Sequence, residues 1–296
     1  MRSGLLFGAG AYGMWGLFPA FFPLLKPAGA VEVLAHRIIW SFVLMVAVIA
    51  AVRRFTDLKA ISGRTWLLLT AAAALISVNW VIYVYAVNNG HVVDAALGYF
   101  INPLVSIALG LLVFRETLNG WQLGALVIAV VAVVVLTVNL GSPPVIGLGL
   151  ALSFGLYGAV KKLVPTDPRV SVGVEAGLAA PFALGYVVIL QVTGHGTFTD
   201  HGAGHVVLMI LSGVLTALPL LLFAAAAQRL AMVTLGLLFY MTPAMQLTWG
   251  VLVGRESMPP ARWLGFALIW MALAVFTVDA VRRARVDRQP SAPSPG

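Results

Sequence analysis

Arg37, with His36 before it, makes the strongest chemical demand of any residue in this 296-residue chain. Arg37 and Arg53 bracket 15 residues, about 22 Å of helix, which is shorter than the ~30 Å hydrocarbon core of a bilayer. A guanidinium at that depth costs about 2.5–3.5 kcal/mol even on the lenient insertion scale, so it should face protein or a wet cavity. Two readings stay open: Arg37 faces an anion or a gate, or it snorkels to the headgroups or pairs with Glu32. Asn79 stands amid an apolar stretch beside Trp80 and Tyr83, and a buried amide there either bonds a neighbouring helix or meets a ligand. Asn102-Pro103 and Thr242-Pro243 are the other polar interruptions at depth. Each proline removes an amide and frees the carbonyl four residues earlier, which at the membrane midplane needs a cavity, a side chain or a substrate.

These positions, with aromatic residues at depth, form the candidate substrate-binding set: His36, Arg37, Asn79, Tyr83, Tyr99, Asn102, Tyr157, Tyr240 and Trp249, with Pro103 and Pro243 as hinges. Trp15, Trp40 and Trp270 are further aromatic candidates, while Trp66, Trp121 and Trp263 read as an interfacial belt. None of the ten carboxylates is expected at a span centre, which disfavours a carboxylate proton relay and a pocket for a permanent cation. Asp94 and Glu175 are expected to open helices, where a carboxylate suits the dipole. His36 is the histidine nearest membrane depth. His201 and His205 have zinc-like spacing only if helical, and their Gly-rich flanks predict a solvated loop. The chain has no cysteine, which excludes disulfides, thiol catalysis and Cys-ligated metal, and no P-loop motif. No catalytic residue, metal or cofactor is expected.

The elements that position these groups follow from composition. The chain is 61% hydrophobic and 9% charged, with a mean hydropathy of +1.00, far from a soluble domain. Apolar runs predict ten transmembrane helices near 4–24, 31–52, 66–88, 93–113, 122–140, 145–163, 173–192, 206–227, 233–253 and 262–281. Arg2, the following apolar run and Ala28-Gly29-Ala30 loosely fit a cleavable leader, but the run is long and has a repeat partner, so it reads as a helix. Residues 282–296 are expected to form a cytoplasmic disordered tail, polar and Pro-rich after Arg288. With the N-terminus inside, 14 of the 18 Lys and Arg fall on the cytoplasmic side, so both termini are expected there. The net charge of +8 is then mostly a topology signal plus contact with anionic lipid, and no nucleic-acid partner is expected.

The chain also repeats. A shift of 140 residues lays Leu97, Pro103, Gly110, Val113, Arg115 and Glu116 on Leu237, Pro243, Gly250, Val253, Arg255 and Glu256. A shift of 142 lays Gly13-Met14-Trp15-Gly16 on Gly155-Leu156-Tyr157-Gly158. Each unit, 1–140 and 145–281, holds five spans, so the second enters the membrane upside down. Inverted repeats of this kind mark secondary transporters with a site between the halves near the midplane.

Several segments resemble one family. His36-Arg37-Ile38-Ile39-Trp40-Ser41, Asn79-Trp80 with Ala86-Val87-Asn88-Asn89, and Leu97-Gly98-Tyr99-Phe100-Ile101-Asn102-Pro103-Leu104 are similar to the RarD group of the EamA-domain transporters, in the drug/metabolite transporter superfamily. So are Phe154-Gly155-Leu156-Tyr157-Gly158 with Lys161-Lys162, and Ile269-Trp270 with Asp279-Ala280. The resemblance implies ten helices in two inverted EamA repeats, in a bacterial inner membrane, and an association with chloramphenicol sensitivity. The chain departs from the family's helix-end Gly-Glu, which is here Arg115-Glu116 and Arg255-Glu256. The first helix also lacks the membrane-embedded Glu of the small multidrug relatives.

The reading that follows is a secondary transporter of a small metabolite or drug, working by alternating access as a monomer or homodimer in the lipid bilayer. A channel or receptor is the alternative. An intramembrane lipid enzyme would need clustered carboxylates, a metal motif or a Ser/His pair, and none is found.

Overall fold

A computed structural model describes residues 2–89, 91–138, 145–253 and 260–286. The described residues form an all-α bundle of α1 (Arg2–Leu25), α2 (Ala30–Ala51), α3 (Gly63–Asn88), α4 (Val92–Leu112), α5 (Gly120–Val138), α6 (Val145–Leu163), α7 (Pro168–Val192), α8 (Gly202–Ala227), α9 (Met232–Leu252) and α10 (Pro260–Val286). Nine contain a stretch long and apolar enough to cross a bilayer, and the apolar stretch of α10 is Trp263–Asp279. Helices satisfy their own backbone amides, which is what an apolar solvent demands. The chain is a multi-pass membrane protein.

Two spans are broken. Helix α1 runs regularly from Arg2 to Gly16, then continues as a short turn, Phe18–Phe21, and a 3-10 turn, Phe22–Leu25. Pro19 and Pro23 each occupy a first turn, where a missing N–H is harmless. Helix α9 is interrupted at Tyr240, and Pro243 lies in the first turn of its second segment, Met241–Leu252. Its counterpart α4 runs through Pro103 without a break. The two prolines expected as equivalent hinges therefore stand in unlike backbones.

Odd-numbered helices start on one face of the bundle and even-numbered helices on the other. The first is called here the basic face, since Arg54, Arg115, Lys162, Arg169 and Arg229 lie at helix ends there. The helix pairings obey the repeat. α1 packs on α8 as α6 packs on α3, α4 packs on α6 as α9 packs on α1, and α2 packs on α8 as α7 packs on α3. α2 with α7, α4 with α9, and α5 with α10 pair with their own counterparts. At the α4–α9 pairing, residues 140 apart meet directly: the Tyr99 and Phe239 rings stack at 6.3 Å, and the Tyr240 hydroxyl donates to the Phe100 carbonyl at 3.4 Å. Close approach needs small residues here. A Cβ on Gly236 would stand 2.8 Å from the Pro103 carbonyl oxygen.

Three local expectations are corrected. Helix α7 starts at Pro168, five residues earlier than expected, because Asp167 caps it by accepting from the Arg169 amide at 2.9 Å. Glu175 therefore lies well inside a span instead of opening it. The stretch from Gly202 is helical, and His205 is buried, not solvated. The preceding loop folds back onto α2, where the Thr197 amide and hydroxyl donate to Glu32 at 2.7 and 3.0 Å, and His205 Nε2 contacts the same hydroxyl at 3.3 Å. Finally, α10 stays helical to Val286, past the expected start of the tail at Arg282. Residues 287–296, the inter-repeat segment 139–144 and the Arg255-Glu256 pair lie outside the described residues.

Candidate functional site

A cavity of about 160 Å³ lies between helices of the two halves. Seven helices line it: α1, α2, α3 and α4 from the first half, and α6, α8 and α9 from the second. Arg37, Asn79, Tyr83, Tyr99 and Asn102 all face it, so five of the nine expected binding residues converge although 65 residues separate the first from the last. Most of the lining comes from the half of the bundle away from the basic face. There α1 is broken, and Phe18 and Phe22 turn inward beside Arg37.

Arg37 is held from the side and left open in front. Its Nε donates to Thr216 Oγ1 of α8 at 2.8 Å. Its guanidinium carbon stands 5.0 Å from the Phe22 ring centroid, 5.4 Å from Phe18 and 5.9 Å from Trp80. Ring faces attract the cation but do not neutralise it. Glu32, the expected pairing partner one turn away, is bonded to Thr197 instead. Asn79 does what a membrane amide usually does and also faces the cavity. Its Nδ2 donates to the Leu150 carbonyl and to Ser153 Oγ of α6, both at 2.9 Å, which leaves Oδ1 as an acceptor. Asn102 Nδ2 reaches the Ala151 carbonyl at 3.4 Å. Its repeat counterpart Thr242 donates to the Tyr12 carbonyl at 2.9 Å. Gln246 Nε2 donates to the Trp15 carbonyl at 3.1 Å.

The remaining four expected residues lie elsewhere. His36 points away from the cavity and stacks on Phe198 at 4.4 Å, with both ring nitrogens lacking a partner among the described residues. Tyr157 is fully buried and donates to Glu175 Oε2 at 3.0 Å. Tyr240 is committed to the α4–α9 contact. Trp249 lies in a separate apolar groove with Leu17, Met241 and Trp270. The reason is helical phase: the cavity takes one face of each helix, and depth alone does not select that face. Sequence reasoning missed Thr216, Gln246, Phe18, Phe22, Phe154 and Phe239 as lining residues. A signal for Phe239 and Thr242 existed, since the 140-residue shift lays Tyr99 and Asn102 on them.

Toward the basic face the cavity is closed by aromatic packing. Tyr12, Phe154, Phe223 and Phe239 pack with ring centroids 5.2–6.1 Å apart. Below this plug sits a buried ionic cluster. Lys161 bonds Glu175 Oε1 at 2.6 Å and also meets Ser171 Oγ, which itself donates to Glu175 at 2.9 Å. Glu116 provides a second tie. Arg115 adopts φ 54°, so the tight turn forms without the family's glycine. The Glu116 carboxylate accepts from the Met232 and Val233 amides at 2.8 and 2.9 Å, capping the positive end of the α9 dipole. Lys162 joins it, 3.4 Å from Glu116 Oε1 and 2.5 Å from the Leu230 carbonyl.

Two opposed helical halves around an internal cavity are an architecture found in membrane transport proteins. The EamA-like transporter family model matches residues 2–138. The chain is 50% identical to Protein RarD of Streptomyces exfoliatus, over 97% of this chain and 92% of that one. It is 40% identical to the uncharacterized transporter YojE of Bacillus subtilis, over 97% of each. It also superposes on a solved crystal structure with a TM-score of 0.73, covering 95% of this chain and 99% of the other at 16% identity, which bears on the fold. The chain belongs to the RarD group of the EamA-like transporters.

Proposed function

We propose that this chain is a secondary transporter that moves a small molecule across a bacterial inner membrane by alternating access, with residues 1–140 and 145–281 as its two halves and both termini in the cytoplasm. The observation that carries the reading is a single asymmetry in a symmetric bundle. The cavity lies between the halves, and among the described residues its basic side is plugged by Tyr12, Phe154, Phe223 and Phe239. Internal symmetry makes the opposite arrangement, with the plug on the other side, nearly equal in energy. The basic face is cytoplasmic by the positive-inside rule, so this conformer presents its cavity outward. Arg37, Asn79, Tyr83, Tyr99 and Asn102 hold the substrate in this reading, with Pro103 and Pro243 near the moving contact of α4 and α9. One chain encloses the cavity, so a monomer or each half of a homodimer has a complete site.

The test is counterflow into liposomes loaded with a panel of amino acids, organic anions and chloramphenicol, with and without a pH gradient. Saturable exchange that is lost in Asn102→Ala is expected. Conductance without saturation would overturn the reading in favour of a channel.

A further inference from the structure

We propose that Arg37 is the anchor for the carboxylate of a small organic anion, whose apolar body, about one aromatic ring in size, fills the cavity beside it. This rests on the reading of the cavity as a substrate site and names the class of substrate.

Four observations carry it. First, Arg37 spends Nε on Thr216, and no carboxylate bonds its guanidinium among the described residues. By contrast, Arg54, Lys161, Lys162 and Arg169 each have an acidic partner. Second, no Asp or Glu is among the described residues that line the cavity, so Arg37 is the charged group of that described lining, and a cationic ligand would enter against it. Third, the Phe22, Phe18 and Trp80 rings crowd the guanidinium at 5.0–5.9 Å and restrict its orientations. A planar fork held in one orientation matches a carboxylate through two parallel N–H···O bonds, and it stays charged at any physiological pH. Fourth, the remaining lining is largely aromatic and aliphatic, including Trp15, Ile76, Phe154 and Leu220. Its 160 Å³ is close to the cavity of roughly 150 Å³ that is known to take up benzene in another protein. A bare inorganic anion would satisfy Arg37 and leave those rings without a partner.

The Arg-in-membrane problem raised by the sequence then has a physical answer. The charge is neutralised by the ligand in the bound state and solvated by water in the open one, so it is retained where a structural cation would have been paired.

Binding is measured on the purified full chain in neutral detergent by tryptophan fluorescence, since Trp15 and Trp80 line the cavity. The probes are 3-phenylpropionate, its primary amide 3-phenylpropanamide, and phenethylamine. The carboxylate should bind saturably, and the amide and amine at least about 30-fold more weakly, the loss expected when a buried charge partner is removed. Arg37→Gln should abolish the preference while keeping the unfolding temperature, and Arg37→Lys should keep the preference with weaker binding. The proposal is overturned if the amide binds as tightly as the carboxylate, if R37Q retains the preference, or if none of the three probes binds the folded protein. Counterflow of the same probes separates the two readings. Carboxylate binding without counterflow leaves the anion site standing and removes the transport reading. Equal counterflow of amide and carboxylate supports transport and overturns the anion site.

Discussion

Arg37 and Lys161 are both cations drawn into the apolar bundle, one above the aromatic plug and one below it, and the protein treats them in opposite ways. Lys161 is 1% exposed and is enclosed by Glu175, Ser171 and the Tyr157 ring, with Tyr157 donating in turn to Glu175. Every charge there is answered by another protein group. Arg37 is flanked by rings and one hydroxyl, and it lines the cavity with no carboxylate bonded to it among the described residues. The difference separates a charge that closes a structure from a charge that is kept for something else. Arrangements with a complete internal partner set rigidify a seam, whereas one left incomplete in an apolar medium persists only if a ligand or water completes it.

Removing each partner in turn tests that contrast. The largest effect is expected for Lys161→Met, which strands Glu175 in a dry seam and should lower stability by about 3–5 kcal/mol. The double variant Lys161→Met/Glu175→Leu should recover most of it, as read by thermal unfolding in detergent. If K161M unfolds like the parent, the seam is wetter than its burial indicates. Next comes Glu116→Gln, which keeps the hydrogen-bonding shape but removes charge from the α9 N-terminus. A loss of about 0.3–2 kcal/mol is expected, with greater labelling of single cysteines placed below the plug, an assay the cysteine-free chain makes clean.

Arg37→Leu should lower stability by no more than about 1–3 kcal/mol, less than K161M. The insertion penalty it relieves, about 2.5–3.5 kcal/mol, roughly offsets two or three ring contacts of about 0.5–1 kcal/mol each and one charge-assisted hydrogen bond of about 1.5–3 kcal/mol. A collapse as severe as that of K161M would erase the distinction between the two cations.

The smallest effect concerns Asp167, outside the spans. The Arg169 side-chain hydrogen bond, aided by the Arg169 amide and by Arg54, holds its carboxyl below the usual 3.8. A depressed carboxylate stabilises the fold above its unfolded value and loses that contribution as pH falls through its folded one. Its share should therefore be intact at pH 5 and fade below pH 3.8. Asp167→Asn should lower the neutral plateau of an unfolding-temperature profile slightly and leave its acid end in place, which flattens the acid limb.

Much of the molecule was legible from residue types alone. Ten apolar runs, the excess of Lys and Arg on one side and the Arg-Glu repeat all report on one-dimensional properties, hydropathy and period, that a bilayer amplifies. Asn79 and Asn102 were legible because a lone amide in such a run needs a reason. His36, Tyr157, Tyr240 and Trp249 sat at suitable depth but on the wrong helical face. The Lys161–Glu175 pair was hidden because Asp167 starts α7 five residues early, which moves Glu175 from a helix mouth into the interior.

By itself, then, the sequence determined that the chain crosses a membrane in two opposed halves and that Arg37 stands inside an apolar run, closer to Arg53 than a full bilayer core requires. Only the tertiary structure decided which side of the bundle is sealed and that Glu32 turns to Thr197 instead of Arg37. It also decided that rings from a broken α1 stand beside the guanidinium. The physical reason is that depth in a bilayer is set by hydrophobicity along the chain, whereas the partner of a charge is set by the rotational phase of helices far apart in sequence.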